Sequence, residues 1–358
     1  MMMFEDLFTV PRKNFQDALE SQQRLLKGIE TLTKLERPRG GVSEKEVIYT
    51  EDKLVLYHFV PKVKRPLKTP TLISYALVNK YYMLDLQEGN SFVEDLLNAG
   101  ADLYVIDWGY PTKDDMFITM EDYIQGYMRN CVEAVLEHSG ADKINFFGIC
   151  QGANFATIFT ALNPDLVKNL VTVVAPIDFS PCDKLLFQWG KYLDADSMVE
   201  AYGNVSGEIM NNGFLLLSPI KLTTNKYLDL VDKLDNEKAM TNFLALESWI
   251  FDSPDQAGAT IRQFTNDMYH DNKLVKGELK IGDETVNLKN IKQPLLNIIA
   301  KRDDQVPTLA SEPLPKLVGS KDTETVYYES GHIGLFVSKR SREQVIPKLM
   351  DFYKTHDD

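Results

Sequence analysis

Short apolar runs that alternate with helix-like stretches are the feature that most constrains the fold of this chain. Apolar and β-branched residues fill runs at 71–75, 103–107, 144–149, 170–175, 295–300 and 325–328. Helical spacing of apolar residues occurs at about 90–98, 121–138, 152–163 and 340–354. Strands that are apolar almost throughout are buried on both faces. The pattern therefore predicts an α/β protein with a mostly parallel, doubly wound sheet covered by helices.

The regular alternation stops after about residue 176, and the next core-type strand begins near residue 294. The intervening stretch is far longer than a crossover helix and contains further helical patterns with many aromatic residues. We interpret 178–292 as a cap (lid) inserted over the carboxyl edge of the sheet, between core segments 42–177 and 293–358. Near its end, residues 277–288 predict a hairpin with a Gly-Asp turn.

The first 41 residues form a separate element in this interpretation. Apolar residues at helical spacing over 12–36 predict an amphipathic helix, and the Arg-Pro-Arg-Gly-Gly sequence at 37–41 predicts a linker. The apolar face of this helix either packs on its own domain or docks a partner, and the sequence leaves both alternatives open.

Charge and cysteine content narrow the possible classes of function. The chain has 39 Lys and Arg against 52 Asp and Glu, a net charge of −13, which argues against nucleic acid as the main partner. Three cysteines cannot form a disulfide framework and fit a reducing compartment. The sequence has no apolar run long enough for a transmembrane segment and no secretory signal pattern, so we expect a cytoplasmic protein.

The strongest local motif is Gly148-Ile149-Cys150-Gln151-Gly152, which follows an apolar strand and precedes a predicted helix. Strand, sharp turn and helix are the context of a nucleophile elbow, here with a thiol at its apex. The backbone amide of Gln151 would lie at a helix N-terminus, where it can help to hold an oxyanion and where the helix dipole favours a thiolate. The alternative is a buried structural cysteine between strand and helix.

A nucleophilic thiol needs a histidine within reach, and the chain offers five. His332 lies in the turn after the predicted strand 325–328, and a loop after a late strand is where α/β-hydrolases carry their histidine. His58 lies in an early strand, His138 at the end of a helix, His270 in the cap and His356 in the tail. We therefore expect His332 to be the partner of the thiol.

The third member should be an acid after the preceding strand, where Asp303 and Asp304 compete. Nucleophile, acid and histidine then follow in the chain order of the α/β-hydrolase triad. A second oxyanion donor is expected from the loop after the strand 71–75, near the amide of Val78. The sequence has no metal-ligand spacing such as a paired C-x-x-C or an H-E-x-x-H, so we expect no metal.

Beyond these motifs, the chain resembles polyhydroxyalkanoate synthases, and most closely the short catalytic subunit of the two-subunit class III enzymes. The segments that carry the resemblance are 75–80 (YALVNK), 105–111 (VIDWGYP), 147–152 (FGICQG), 249–258 (WIFDSPDQAG) and 331–334 (GHIG). The resemblance covers roughly residues 42–358. It implies an α/β-hydrolase core with a mobile cap and a Cys-Asp-His triad. The D-x-x-V-P pattern of the family, counted back from Pro307, selects Asp303.

The resemblance also implies an activity and its partners. A synthase of this family polymerises (R)-3-hydroxyacyl-CoA, typically 3-hydroxybutyryl-CoA, through an acyl-cysteine at Cys150, with CoA as leaving group and no cofactor. It implies a second, non-catalytic subunit (PhaE type), a homo-oligomer and a location at the surface of cytoplasmic polymer inclusions. Two alternatives stay open. One is a thioesterase, esterase or polymer depolymerase with the same triad, and the other is a non-catalytic binding or granule-coat protein.

Overall fold

The structure is a computed structural model that describes residues 40–64, 66–181, 183–217 and 236–357. The amphipathic helix predicted at 12–36 and Cys182 lie outside the described residues, as does most of the linker at 37–41. The helix and the linker therefore stay predictions.

Six of the twelve strands of the described residues lie at apolar runs predicted from the sequence. In chain order they are β1 (Lys45–Glu51), β2 (Leu54–Phe59), β3 (Thr71–Ser74), β4 (Asp85–Gln87), β5 (Asn90–Ser91), β6 (Leu103–Asp107), β7 (Ile144–Ile149), β8 (Val167–Val173), β9 (Lys280–Ile281), β10 (Glu284–Thr285), β11 (Leu295–Ala300) and β12 (Thr323–Tyr328). Every residue of β7 and of β11 is buried, as expected for strands covered on both faces.

The α-helices of the described residues lie against this sheet and in the described parts of the interval between β8 and β11. They are α1 (Phe92–Ala99), α2 (Met128–Ser139), α3 (Gln151–Leu162), α4 (Leu185–Tyr192), α5 (Ala195–Tyr202), α6 (Gly207–Leu216), α7 (Glu237–Ile250), α8 (Gly258–Gln263), α9 (Lys273–Lys276), α10 (Thr308–Ser311), α11 (Leu314–Leu317), α12 (Gly334–Val337) and α13 (Lys339–Thr355). A π-helical turn, Asp122–Tyr127, precedes α2. Within the described ranges, none of these helices is both long and apolar enough to cross a membrane.

Eight strands form one sheet in the order β1-β2-β6-β3-β7-β8-β11-β12. Pairing is antiparallel between β1 and β2 and between β2 and β6. The six strands β6, β3, β7, β8, β11 and β12 are parallel to one another. The predicted α/β class with a mostly parallel, doubly wound sheet is therefore confirmed.

Two apolar layers hold helices against the two faces of the sheet. Phe146 of β7 packs in one layer with Phe155 and Phe159 of α3. Its neighbour Phe147 points to the opposite face and packs in the other layer with Phe92 of α1. Because successive side chains of a strand point to opposite faces, adjacent phenylalanines of one strand serve both cores.

The interval 178–292, predicted as a cap, holds α4 to α9 and the β9–β10 hairpin. The hairpin turns at the predicted Gly-Asp pair, with Gly282 at a φ of 56°. Two side chains of this interval bind the loop after β3. Trp249 Nε1 donates to the carbonyl of Lys80 at 2.7 Å, and Gln256 Nε2 donates to the carbonyl of Leu77 at 2.9 Å. These contacts place part of the interval next to the carboxyl end of β3.

Candidate active site

Cys150 lies at the sharp turn between β7 and α3, as the motif predicts. Its backbone has φ 54° and ψ −124°, a conformation that a residue with a side chain rarely adopts. The backbone amide of Cys150 donates to the carbonyl of Val173 at 2.9 Å, which fixes the turn against β8. Strained backbone held in this way is typical of a nucleophile elbow, where it presents the apex side chain above the sheet.

The two glycines of the motif are required by close approach of the backbone. A Cβ on Gly148 would lie 2.5 Å from the Cα of Ala153. A Cβ on Gly152 would lie 2.2 Å from the carbonyl oxygen of Ser74. Neither neighbour is the end of a flexible side chain, so the backbone itself would have to move. The G-x-C-x-G pattern is therefore a packing requirement of this strand-turn-helix unit.

Replacing Gly152 with alanine is expected to lower the free energy of unfolding by roughly 1–3 kcal/mol, because the added methyl group overpacks a backbone contact. Gly126→Ala is the matched control, since a Cβ at this helical position meets nothing within 4 Å. Alanine at 126 should be neutral or stabilising by less than about 1 kcal/mol. Urea unfolding of both variants measures the difference, and equal losses would contradict the proposed close packing at Gly152.

His332 and Asp303 lie together, as the order of the motifs predicts. The Asp303 Oδ2 atom accepts a hydrogen bond from His332 Nδ1 at 2.7 Å. Its Oδ1 atom accepts from the amides of Gln305 and Val306 at 2.8 and 2.9 Å. Asp303 is 2% exposed, and both of its carboxylate oxygens accept hydrogen bonds. Of the two competing aspartates, the geometry gives Asp303 the contact with the histidine.

The imidazole of His332 lies between a carboxylate and a thiol. Burial opposes a charge on this ring, but the Asp303 carboxylate and the Cys150 side chain, to which the ring also hydrogen bonds, raise the pKa of His332 well above its usual value. An imidazolium at this point stabilises a neighbouring thiolate. The three side chains therefore form a continuous chain from acid to histidine to thiol.

A cavity of about 340 Å³ opens above Cys150 and His332. Its lining is mostly apolar, and much of it comes from the interval predicted as a cap. The cap residues that line it include Leu186, Phe187, Trp189, Met198, Met210, Phe214, Trp249, Ile261, Phe264 and Tyr269. An apolar cavity with few convergent polar groups is the usual form of a small-molecule site.

The two predicted oxyanion donors lie beside this cavity. The amide of Gln151 is at the first position of α3, directly after the thiol. The Gln151 side chain accepts a hydrogen bond from the amide of Leu77 at 3.0 Å, which leaves the amide of Val78 as the next donor of the loop. Val78 lines the cavity together with Cys150. The role of both amides stays a prediction.

A polar network joins three of the segments that carry the family resemblance, and the sequence motifs did not predict it. Lys80 is buried and forms an ion pair with Asp107, and its ammonium lies 4.1 Å from the ring centre of Tyr110. The carboxylate of Asp252 accepts hydrogen bonds from the hydroxyls of Tyr82 and Tyr110 at 2.6 and 2.8 Å. The network holds the loops after β3 and β6 against the end of α7. The only sequence signal for it was the resemblance of these segments.

Comparison with known proteins decides the family. Residues 79–339 match a family model described as the alpha/beta hydrolase fold, and residues 16–96 match one described as the N-terminus of poly-beta-hydroxybutyrate polymerase (PhaC). The poly(3-hydroxyalkanoate) polymerase subunit PhaC of Allochromatium vinosum is 45% identical over 341 residues, which are 95% of this chain and 96% of the relative. The corresponding subunit of Thiocystis violacea is 44% identical with the same coverage of both chains. The chain belongs to the PhaC family of poly(3-hydroxyalkanoate) polymerase subunits.

Membership of the PhaC family confirms the resemblance, the enzymatic nature of the chain and polyester synthesis as its activity. A solved structure of similar fold is a monoacylglycerol lipase from Paleococcus ferrophilus, with a TM-score of 0.56 and 16% identity over 85% of this chain and all of that chain. At this identity the similarity shows the α/β-hydrolase fold alone. The predicted fold is thus confirmed by the sheet and by the comparison.

Proposed function

We propose that this PhaC chain polymerises (R)-3-hydroxyacyl-CoA thioesters, with 3-hydroxybutyryl-CoA as the expected monomer, through a covalent acyl-cysteine at Cys150. The observation that carries the proposal is the position of Cys150. Its thiol lies at a strained elbow, contacts the His332–Asp303 pair and lines an apolar cavity. A thiolate exchanges readily with a thioester, so the nucleophile fits the substrate class.

In the first half of the proposed cycle, His332 takes the proton of the Cys150 thiol. The thiolate attacks the thioester carbonyl and forms a new carbon–sulfur bond. The amides of Gln151 and Val78 donate to the resulting oxyanion. When the bond to CoA breaks, the CoA sulfur receives the proton from His332 and leaves as a thiol. The acyl group is then held on Cys150 as a thioester.

In the second half, the 3-hydroxyl of a growing chain attacks the acyl-cysteine. His332 takes the hydroxyl proton, a carbon–oxygen bond forms, and the bond to sulfur breaks. The proton on His332 returns to Cys150 or stays as the imidazolium beside the thiolate. We assign Asp303 to orientation of His332, and its 2.7 Å contact with Nδ1 and its two amide donors support this assignment over direct activation of the hydroxyl. These steps need no cofactor, since CoA arrives and leaves with the substrate.

Polymerisation instead of hydrolysis requires that a hydroxyl of the product reaches the acyl-cysteine more readily than water does. The apolar lining of the cavity supports this requirement, because water bound there finds few hydrogen-bond partners. The same lining fits the alkyl groups of a hydroxyacyl chain. A hydrolase with the same triad would need an open path for water to the sulfur.

We also propose that the working enzyme contains a second, non-catalytic subunit of PhaE type, that it is a homo-oligomer of the catalytic chain, and that it acts at the surface of cytoplasmic polymer inclusions. The word "subunit" in the names of the PhaC relatives supports an assembly. The insoluble product supports the location. A tagged chain that stays diffuse in polymer-laden cells would contradict the location.

The test of the proposed function is turnover of (R)-3-hydroxybutyryl-CoA, with CoA release and the form of the product followed together. We expect insoluble polyester and a higher specific activity when the second subunit is added. Free 3-hydroxybutyric acid as the product would instead support the hydrolase alternative. Specific activity that does not respond to the added subunit would contradict the proposed assembly.

A further inference from the structure

A second cluster of titratable side chains lies near the amino end of β6, away from Cys150. Glu46 of β1 pairs in register with His58 of β2, and His58 pairs with Tyr104 of β6. The three residues therefore form one row across three neighbouring strands. His138, in the last turn of α2, completes the cluster by packing its ring edge-on against His58, with 5.0 Å between ring centres.

The ligand atoms of this cluster converge on one point. Glu46 Oε1 lies 3.1 Å from His58 Nδ1 and 3.9 Å from His138 Nε2. All three atoms lie within 4.8 Å of one another. In tetrahedral zinc sites the metal lies about 2.0–2.2 Å from nitrogen and oxygen ligands, which places the ligand atoms roughly 3.4 Å apart. The separations of 3.1 and 3.9 Å from Glu46 Oε1 lie within about 0.5 Å of that spacing.

The other nitrogen of each histidine is held by a second side chain. His58 Nε2 lies 2.8 Å from Asp102 Oδ1, and His138 Nδ1 lies 2.7 Å from the hydroxyl of Tyr104. The ring of His58 also stacks on that of Tyr104, with 4.4 Å between ring centres. A proton held on the outer nitrogen of each ring leaves the inner lone pair facing Glu46. Metal-binding histidines are usually oriented by such a partner, often a carboxylate.

We propose that Glu46, His58 and His138 form a zinc site with a fourth position open to water. Two imidazole nitrogens and one carboxylate oxygen are a ligand set that Zn²⁺ accepts, and it contains no sulfur. The Glu46 and His138 side chains are 58% and 37% exposed, so the ion and a water molecule can reach the site. The site departs from the expectation of no metal, which rested on the absence of metal-ligand motifs.

The position of the site separates it from the chemistry at Cys150. Asp102 and Tyr104 lie at the amino end of β6, whereas the thiol lies at the carboxyl end of the parallel strand β7. A metal bound at this edge ties the antiparallel β1–β2 pair to the end of α2. We therefore expect it to stabilise the fold and to leave the steps of acyl transfer unchanged.

Protons compete with zinc for the same nitrogens. Burial lowers the pKa of His58, but hydrogen bonds to Asp102 and Glu46 outweigh it and raise the pKa above its usual value. Zinc binding is therefore measured at about pH 8, above the usual imidazole range, where proton competition is weak. Without a metal, the same contacts form a network of hydrogen bonds between histidines and carboxylates.

The experiment titrates the tag-free, chelator-treated full chain with zinc in competition with a chromophoric chelator. We expect one zinc ion per chain. The affinity for zinc should fall by about 10-fold to 100-fold in His138→Gln, in Glu46→Gln and in Asp102→Asn, which removes the carboxylate that orients His58. The matched control is His356→Gln, because His356 Nε2 lies 3.0 Å from Asp322 without a second histidine at that contact. Circular dichroism and urea unfolding of each metal-free variant show whether it is folded.

Zinc bound at the catalytic thiol is the main competing outcome, and X-ray absorption separates it. The proposed site gives nitrogen and oxygen neighbours at about 2.0–2.2 Å, whereas a cysteine ligand gives sulfur at about 2.3 Å. The proposal is overturned by the absence of bound zinc, by sulfur in the coordination shell or by affinity equal to wild type in both His138→Gln and Glu46→Gln. None of these results depends on the outcome of the polymerisation assay.

Discussion

Replacement of Cys150 with alanine is expected to lower CoA release from (R)-3-hydroxybutyryl-CoA by about 10⁴-fold or more, because the variant has no atom that can carry the acyl group. The surrounding turn should persist, because the substitution removes only the Sγ atom and adds no atom that could clash. Initial rates of CoA release, measured with a thiol reagent, give the loss. Circular dichroism and urea unfolding show whether the fold is retained.

Cys131→Ala is the matched control for the loss of a thiol. Cys131 lies in α2 and is fully buried, and burial raises the pKa of its thiol, so it is a poor nucleophile. Its replacement should cost some stability and leave the rate of CoA release within a few-fold of wild type. Substantial turnover by Cys150→Ala would show that another residue carries the acyl group.

Asp303→Asn is expected to lower kcat by about 10³-fold to 10⁴-fold, as observed when the aspartate of a Ser-His-Asp triad is replaced by asparagine. The side-chain amide would present an N–H to His332 Nδ1, where the carboxylate now accepts at 2.7 Å. The ring would then hold its proton on the nitrogen that must take one from Cys150. The loss should fall on kcat more than on KM, since Asp303 lies behind the histidine.

The neighbouring Asp304→Asn is the control for this prediction. It changes the same charge one residue away, whereas the 2.7 Å contact with His332 Nδ1 is made by Asp303. We expect its kcat to stay within a few-fold of wild type. A larger loss in Asp304→Asn than in Asp303→Asn would contradict the assignment of the acid.

Strands were predicted best where the sequence is apolar without interruption. The predicted runs 103–107, 144–149 and 295–300 have the same bounds as β6, β7 and β11, because strands buried on both faces leave an unambiguous pattern. The run at 170–175 extends past the end of β8, since Val174 adopts a φ of 47° and turns the chain out of the sheet. Its start at Val167 was missed, because polar residues at 168 and 169 interrupt the apolar run.

The β1 edge of the sheet was harder to predict from the sequence. The residues of β1 are half-buried or exposed, so this strand has no continuous apolar run. Its pairing with β2 depends on the hairpin between them and on the contact of β2 with β6. The sheet therefore has an antiparallel edge that the count of apolar runs did not reveal.

Active-site residues were easiest to predict where they belong to a short sequence motif. The elbow is fixed by five consecutive residues, and the order of strand ends was sufficient to place His332 and two candidate aspartates. The choice of Asp303 needed the family pattern, and the geometry agrees with it. The cluster of Glu46, His58 and His138 was not predictable, because strand register and the end of a helix bring together residues without a recognisable spacing.

The measurement that tests the central claim most directly is identification of the acylated residue. The chain is mixed with (R)-3-hydroxybutyryl-CoA, quenched in acid within one turnover and digested, and its peptides are analysed by mass spectrometry. We predict one or more hydroxybutyryl units on the peptide that contains Cys150, removable by hydroxylamine, and none on that peptide from Cys150→Ala. Polymer formation with the acyl group on a different residue would contradict the account, as would polymer formation by the Cys150→Ala chain.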